Sequence, residues 1–305
     1  MDDIRQAIRS LVADAGAIRC GFAEARPVSD SEHQRYMEWI RAGRNFSMPY
    51  LERYDDIRRD PRLLLEGAQT VISCAFDYRQ PRRHPLFADY ALGRDYHDVI
   101  RMRLSAVADE IVARFGGLTR ICVDTAPIRE RYWAAEAGVG IIGLNGQLIV
   151  EGVGSKVFLA EILWTGSVTP DSSLIGRKCL ECGACVSACP GNALDGRGGL
   201  DAARCYSCLT IEHRGDLPPN LRLDSRIYGC DVCQDVCPMC SESSLATPSE
   251  FLPSDALMSL DADGILAMDG DTFRAIFGRS AVRRAKLSGL QRNATRHKDS
   301  KNQDF

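Results

Sequence analysis

Residues 179 to 190 read CLECGACVSACP, four cysteines spaced C-x2-C-x2-C-x3-C and followed by proline. Three closely spaced thiolates can wrap three corners of one [4Fe–4S] cubane, while the fourth, opening a departing segment, reaches a second cluster. A zinc site needs only four ligands and typically uses two CxxC pairs about 15 to 20 residues apart, without the trailing Cys-Pro. The spacing therefore favours iron–sulfur over zinc. A second run, IYGCDVCQDVCP at 227 to 238, repeats the last three positions with Cys230, Cys233 and Cys237 and has Ile227 at the first. Two cubanes need eight thiolates and the two runs supply seven. By the exchange rule one cluster takes Cys179, Cys182, Cys185 and Cys237, and the other takes Cys189, Cys230, Cys233 and one further cysteine. Cys205 and Cys208, in RCYSCLTIE, can approach from the intervening loop, whereas Cys240 lies past the turn-forming Pro238. Two clusters together imply electron relay.

Outside this region the chain has the composition of an ordinary globular protein, with 45% apolar and 26% charged residues in 305. Ten of its thirteen cysteines lie between 179 and 240, which in a reducing compartment reads as metal binding or catalysis rather than disulfides. Cys20, Cys74 and Cys122 fall in apolar patterns and read as buried small hydrophobes. No apolar run approaches the roughly 18 residues of a membrane span. The opening MDDIRQAIRSLVADAG starts with acids and puts Ile4, Ile8, Leu11 and Val12 on one helical face, unlike a secretory signal, so a cytoplasmic protein is expected.

The first 170 or so residues alternate strand-like runs, at 70–78, 119–126, 147–152 and 156–166, with helical patterns at 31–42, 95–115 and 128–137. In the second helix Val99, Met102, Leu104, Val107 and Ile111 approximate a 3.6 period. The fold class expected is α+β: an α/β domain over 1–172, a ferredoxin-like two-cluster domain over 173–245 that depends on its metal centres, and a helical segment over 246–305. Residues 279–301 carry eight Lys or Arg against one acid, Asp299, on a chain of net charge −3. Such a tail suits either a polyanion such as RNA or a solvated helix end.

Three local patterns invite chemistry. GVGIIG at 138–143 matches G-x-G-x-x-G, but a helix precedes it and a strand comes after, the reverse of a dinucleotide fingerprint, so Gly138 reads as a helix C-cap. DYHD at 95–98 contains a possible axial ligand, His97; at a helix start its Asp95 reads first as an N-cap. Asp124, in CVDTAPIRER, sits where an apolar strand stops, either capping the next helix or serving as a general acid in a cleft.

Taken in order, MPYLERY (48–54), YALGRDYHDVIRMRL (90–104), DTAPIRERYWAAEAGVGIIGLN (124–145), GSKVFLAEIL (154–163), the cysteine runs, CYSCLTIEHRG (205–215) and FGRSAVRRAKLSGLQRNA (277–294) make the chain resemble the epoxyqueuosine reductase family. The resemblance spans nearly the whole length. It implies a cobalamin over the N-terminal domain, fed by two [4Fe–4S] clusters, and reduction of the epoxide of epoxyqueuosine at the tRNA wobble position. Asp124 would be the proton donor and Cys205 the eighth cluster ligand. Corrin contacts would fall at Ser47, Asp124, Leu148, Ser155, Leu159 and Ser207, several through backbone. Implied partners are the tRNA anticodon stem-loop and a low-potential donor such as flavodoxin or ferredoxin, with the enzyme a monomer. The sequence departs from the family at Leu144, usually Lys; Lys156, usually aromatic; Cys208, usually Tyr; and Met239-Cys240, usually Trp-Asn. It also ends short of the helical-repeat extension that many members carry. Other readings are a reductive-dehalogenase-like enzyme acting on a small molecule and a non-enzymatic electron carrier.

Overall fold

The computed structural model describes residues 2–171, 178–240 and 246–302. The expected boundary near 172 falls outside the described residues. The N-terminal half is built on a sheet of order β1-β2-β6-β3, in which every neighbouring pair is antiparallel. Its strands are β1 (Arg19–Glu24), β2 (Thr70–Asp77), β3 (Thr119–Cys122) and β6 (Val157–Trp164). A two-stranded ribbon of β4 (Ile141–Ile142) and β5 (Leu148–Ile149) lies beside it.

The period of two along the central strands explains why both faces are covered. Ile72, Cys74 and Phe76 of β2 and Phe158, Ala160, Ile162 and Trp164 of β6 enter one core. There they meet Ile8 and Val12 of α1 (Asp2–Asp14), with Val99, Leu104 and Ile111 from a later helix. Val71, Ala75, Leu159 and Leu163 point the other way. The chain reaches that later helix through α2 (Asp30–Arg41) and α3 (Asp55–Arg59); the helix itself is α4 (Tyr96–Phe115). On the opposite face, Trp133 and Ala134 of α5 (Glu130–Glu136) seal the second core. Within α4 the structure departs from the expected period, because Met102 is 55% exposed while Val99 and Ile100 both turn inward.

β1 is not legible in the sequence. RCGFAE is six residues with charged ends, and Gly21 lies so close to the end of α5 that a Cβ there would come within 2.0 Å of the Ala137 carbonyl oxygen. Gly138, at φ +69°, comes after α5 in the left-handed conformation expected of a C-cap glycine and donates its N–H to the Ala135 carbonyl at 3.0 Å.

The cysteine region has little regular structure: α6 (Ala184–Ser187), α7 (Tyr206–Ile211) and α8 (Val232–Asp235). Its apolar support comes from the C-terminal helices. Ile211, Ile227 and Tyr228 share a core with α9 (Asp255–Met258), α10 (Ala262–Leu266), α11 (Gly270–Phe277) and α12 (Lys286–Asn302) through Leu257, Ile265, Phe277 and Leu290, and with Val282 of the 3-10 turn at Ala281–Ala285. The basic tail is largely engaged in this packing. Arg292 donates to the carbonyls of Leu209, His213 and Gly215, and Arg296 to those of Pro218, Pro219 and Leu221. Arg283 pairs with Asp95, Arg284 with Glu212 and Lys298 with Asp263. Much of the charge that suggested a polyanion partner thus braces the loop around α7. Hydrogen bonds from a charged donor contribute about 1.5 to 3 kcal/mol each. Arg292→Ala should therefore lower unfolding stability by about 2 kcal/mol or more, read as a shifted denaturation midpoint.

Candidate active site and metal centres

The two cysteine runs converge. Cys179, Cys182 and Cys185 of the first run and Cys237 of the second line one cavity, with about 260 Å³ of empty space including its mouth. Gly183, at φ +72°, turns the chain tightly between Cys182 and α6, so that thiols three apart can face one centre. Leu144 and Pro238 wall the cavity, so Leu144 gives this rim an apolar side chain. Among the described residues no three His, Cys, Asp or Glu side chains close on one point tightly enough for a single ion. Four thiols spread round a cavity fit the corners of a cubane.

The remaining thiols form a second neighbourhood. The Cys233 thiol is pushed up by burial and by the proximity of Cys230, Cys205 and Cys189, and Cys230 is pushed up to about 11 by burial and then by Cys205 among others. Cys208 adjoins Cys205 alone of that set among the groups that shift its thiol. Burial, Cys205 and Glu212 push its thiol up to about 12, and it receives a backbone hydrogen bond from Ser47. Cys240 lies instead against Cys237 of the first set, with which its thiol is hydrogen-bonded, and 3.8 Å from Ser155 Oγ. Of the three candidates for the eighth thiolate, Cys205 keeps company with Cys189, Cys230 and Cys233.

A buried polar junction fixes the second run against the sheet domain. Asp231 accepts the Asp89 N–H at 2.9 Å and pairs with Arg226 at 3.2 Å. Gln234 donates to the Ser155 carbonyl at 2.8 Å and to the Tyr78 hydroxyl at 3.1 Å. Lys156 bridges Asp89 at 2.5 Å and Asp235 at 2.6 Å, with Arg83 also on Asp235. The lysine that departs from the usual aromatic is therefore the charge between two carboxylates.

Asp124 sits at the opposite kind of place. It comes just after β3 at φ +52°, a left-handed conformation that a non-glycine residue adopts only where its surroundings hold it. It does not cap α5, because that helix starts at Glu130 with Arg129 as its N-cap. Its N–H donates to Glu130 Oε1 at 2.5 Å, and its Oδ2 lies 3.0 Å from His97 Nε2. Across the ring, His97 Nδ1 is 2.6 Å from Asp95 Oδ1, which also accepts the His97 N–H and so caps α4 as expected. The Asp124 side chain is 55% exposed, so its carboxyl is presented to solvent. Burial works against a charged His97, but the hydrogen bonds to Asp124 and Asp95 outweigh it and push the imidazole up to about 9. Burial and the Asp124 charge push Glu130 up to about 8.

The other predicted contacts divide in two. Ser47 lies beside α7, its hydroxyl 2.8 Å from His213 Nδ1, and Ser207 is in α7 itself. Burial first, and then the nearby charges of Glu212 and Asp124 among others, push the Tyr50 hydroxyl up, so the Asp124 loop lies near the Ser47 loop and α7. Leu148, Ser155 and Leu159 are buried by contrast, so a ligand would meet them through backbone. Glu130 escapes a reading of the sequence, where only its spacing of six from Asp124 would flag it. His97 stands out there as a metal-ligand candidate, and its partner Asp124 becomes visible only in the fold.

The fold and site define an iron–sulfur oxidoreductase: a double thiolate nest docked on a sheet domain that displays one carboxyl. Comparison with known proteins agrees. Residues 58–125 match the family "Epoxyqueuosine reductase QueG, DUF1730", and residues 178–240 match the "4Fe-4S double cluster binding domain". The epoxyqueuosine reductase of Leadbetterella byssophila is 35% identical over 96% of this chain and 98% of its own length. That of Cellulophaga algicola is 34% identical over 91% and 92%. An epoxyqueuosine reductase solved with a tRNA-Tyr epoxyqueuosine-modified stem loop superposes with a TM-score of 0.90 at 29% identity, covering 98% of this chain and 81% of that one. The chain belongs to the epoxyqueuosine reductase family.

Two sets of variants test the centres. Cys237→Ala and Cys182→Ala should each abolish the same cluster signal in the electron paramagnetic resonance spectrum, while Cys205→Ala abolishes the other and Cys208→Ala neither. Lys156→Met leaves Arg83 as the cation shared by Asp89 and Asp235, so the loss in denaturant unfolding of the cluster-loaded protein should fall below the roughly 3 to 5 kcal/mol of a fully broken buried pair, whereas removing Arg83 as well should bring it into that range.

Proposed function

We propose that this chain reduces the epoxide of epoxyqueuosine at the wobble position of tRNA, giving queuosine, with two [4Fe–4S] clusters and cobalamin. The observation that carries the reading is the near-complete superposition on a reductase bound to the modified stem loop, combined with Asp124 displayed at the rim of the same domain. Cys179, Cys182, Cys185 and Cys237 would hold one cluster, and Cys189, Cys205, Cys230 and Cys233 the other. The two neighbourhoods of thiols support that division.

For cobalamin the fit rests on the neighbourhood of the Ser47 loop, α7 and the Asp124 loop, where exposed Asp124 lies near polar side chains. Ser47 and Ser207 would offer hydroxyls there, and Leu148, Ser155 and Leu159 would contribute backbone groups. When bound, the cofactor supplies a cobalt centre that takes electrons singly and meets carbon. The chain's own contribution is acid catalysis. Asp124 gives a proton to the departing epoxide oxygen, and its left-handed backbone, held by Glu130, keeps the carboxyl pointing outward. Splayed bases are the usual target of sequence-specific RNA recognition, which suits an opening at a rim rather than a deep pocket.

Electrons would arrive from a low-potential carrier such as flavodoxin or ferredoxin on the side of the exposed Cys182. We place the enzyme in the cytoplasm as a monomer. Among the described residues no helix is long and apolar enough to cross a membrane. Supplied with epoxyqueuosine-containing tRNA, cobalamin and a low-potential reductant, the protein should form queuosine. Asp124→Asn, with clusters and corrin retained, should slow that conversion at least 100-fold, the scale of one lost general acid. Wild-type speed in that variant, or no queuosine from the intact protein, would remove the proposal.

A further inference from the structure

Removing an epoxide oxygen as water breaks two C–O bonds, forms one C=C bond and consumes two electrons and two protons. The clusters account for the electrons. A single carboxyl, however, carries one proton, and Asp124 is the only acid so far placed at the oxygen. The side chain in contact with its carboxyl is His97.

The geometry of that ring decides its state. Nδ1 lies 2.6 Å from Asp95 Oδ1 and Nε2 lies 3.0 Å from Asp124 Oδ2. An ionised carboxylate only accepts hydrogen bonds, so once Asp124 has given up its proton the ring satisfies both facing carboxylates only with a hydrogen on each nitrogen, as the imidazolium. The ring is also immobilised. It stacks on Tyr96 at 4.1 Å between centroids, and Tyr96 in turn stacks on Phe158 at 4.3 Å and 7°. Asp95 is fixed from its far side by Arg283 on Oδ2 at 3.1 Å. Glu130, by contrast, touches the backbone N–H of Asp124 rather than its carboxyl, and acts as a positioning residue.

We infer that His97 reloads Asp124 between two successive proton transfers, so that the Asp95–His97–Asp124 row delivers both protons of one turnover through a single carboxyl. With two electrons supplied through the clusters, the first transfer breaks one C–O bond and leaves an electron pair on the carbon released, the oxygen as a hydroxyl on the neighbouring carbon and Asp124 as a carboxylate; that pair forms the C=C bond when the second C–O bond breaks. The Nε2 proton of His97 then moves to Asp124 Oδ2, the second transfer releases water, and the ring, 21% exposed, recovers its proton from solvent. The DYHD segment is thereby a proton store rather than a source of a cobalt ligand. This rests on the epoxide-reduction reading for its chemistry, but the state of the ring does not.

Two measurements on the cluster-loaded, cobalamin-loaded protein test it. In the first, histidine-labelled protein without tRNA is titrated by nuclear magnetic resonance. The groups facing the ring are Asp95, Tyr96, Asp124 and, one contact further, Arg283 and Glu130. His97 should lose its proton near pH 9, and in Asp124→Asn the transition should fall toward the ordinary range. An ordinary value in the wild-type protein overturns the inference whatever the substrate. In the second, His97→Gln, shown to retain iron and corrin, should turn over at least tenfold slower than wild type at pH 7. Wild-type rate should decline as pH rises through the ring's transition, whereas the residual rate of His97→Gln should not track it. If His97→Gln loses its clusters, His97→Ala with added imidazole replaces it, and recovery of rate by imidazole is then the expected result. A His97 variant that keeps wild-type rate and pH profile overturns the relay. If the wild-type protein itself makes no queuosine, it is the substrate reading that fails.

Discussion

Four thiols from two stretches about fifty residues apart face one cavity, and the rest of the molecule is arranged to make that meeting happen. Cys237 cannot reach Cys179, Cys182 and Cys185 unless the chain between them returns, and that return carries Cys205 past Cys189, Cys230 and Cys233. The region has too few large apolar side chains to hold this path alone. Its only private apolar cluster among the described residues is Leu209, Leu217, Leu221 and Leu223. The C-terminal helices therefore lend it a core, and Arg292 and Arg296 tie off carbonyls that irregular backbone would otherwise leave unpaired.

The same constraint joins the cysteine region to the sheet domain. Asp231 and Asp235 flank Cys233, and both are bound by groups anchored in the N-terminal half: the Asp89 N–H for one, Lys156 and Arg83 for the other. A cluster held this way would keep a set position relative to β3 and β6, beside whose ends Asp124 and Lys156 lie. On the proposed function, electron delivery and proton donation by Asp124 would then depend on this one junction. Asp124 itself is held by opposed contacts, with Glu130 on its backbone and His97 on its side chain, which sustains a backbone conformation that an aspartate would not keep in a free loop.

Legibility in the sequence depends on the physical range of each interaction. Cluster exchange is readable because ferredoxin-type spacing encodes which thiol must leave. β2 and β6 are readable because buried strands are continuous apolar runs. β1 is not, since its six residues owe their place to pairing with β2 and to a close approach that only Gly21 permits. The strand expected through 126 stops at Cys122 because the chain turns left-handed at Asp124. The partnership of His97 with Asp124 spans 27 residues and leaves no local signature. The charge of α12 suggested RNA, because composition records charge and not the carbonyls that receive it.

The central claim, that these cysteines hold two four-iron clusters, is tested most directly by iron and acid-labile sulfide content of protein prepared without oxygen. The account predicts about eight of each per chain, the sum of two cubanes. Zinc in place of iron, or half that content in otherwise intact protein, would contradict it.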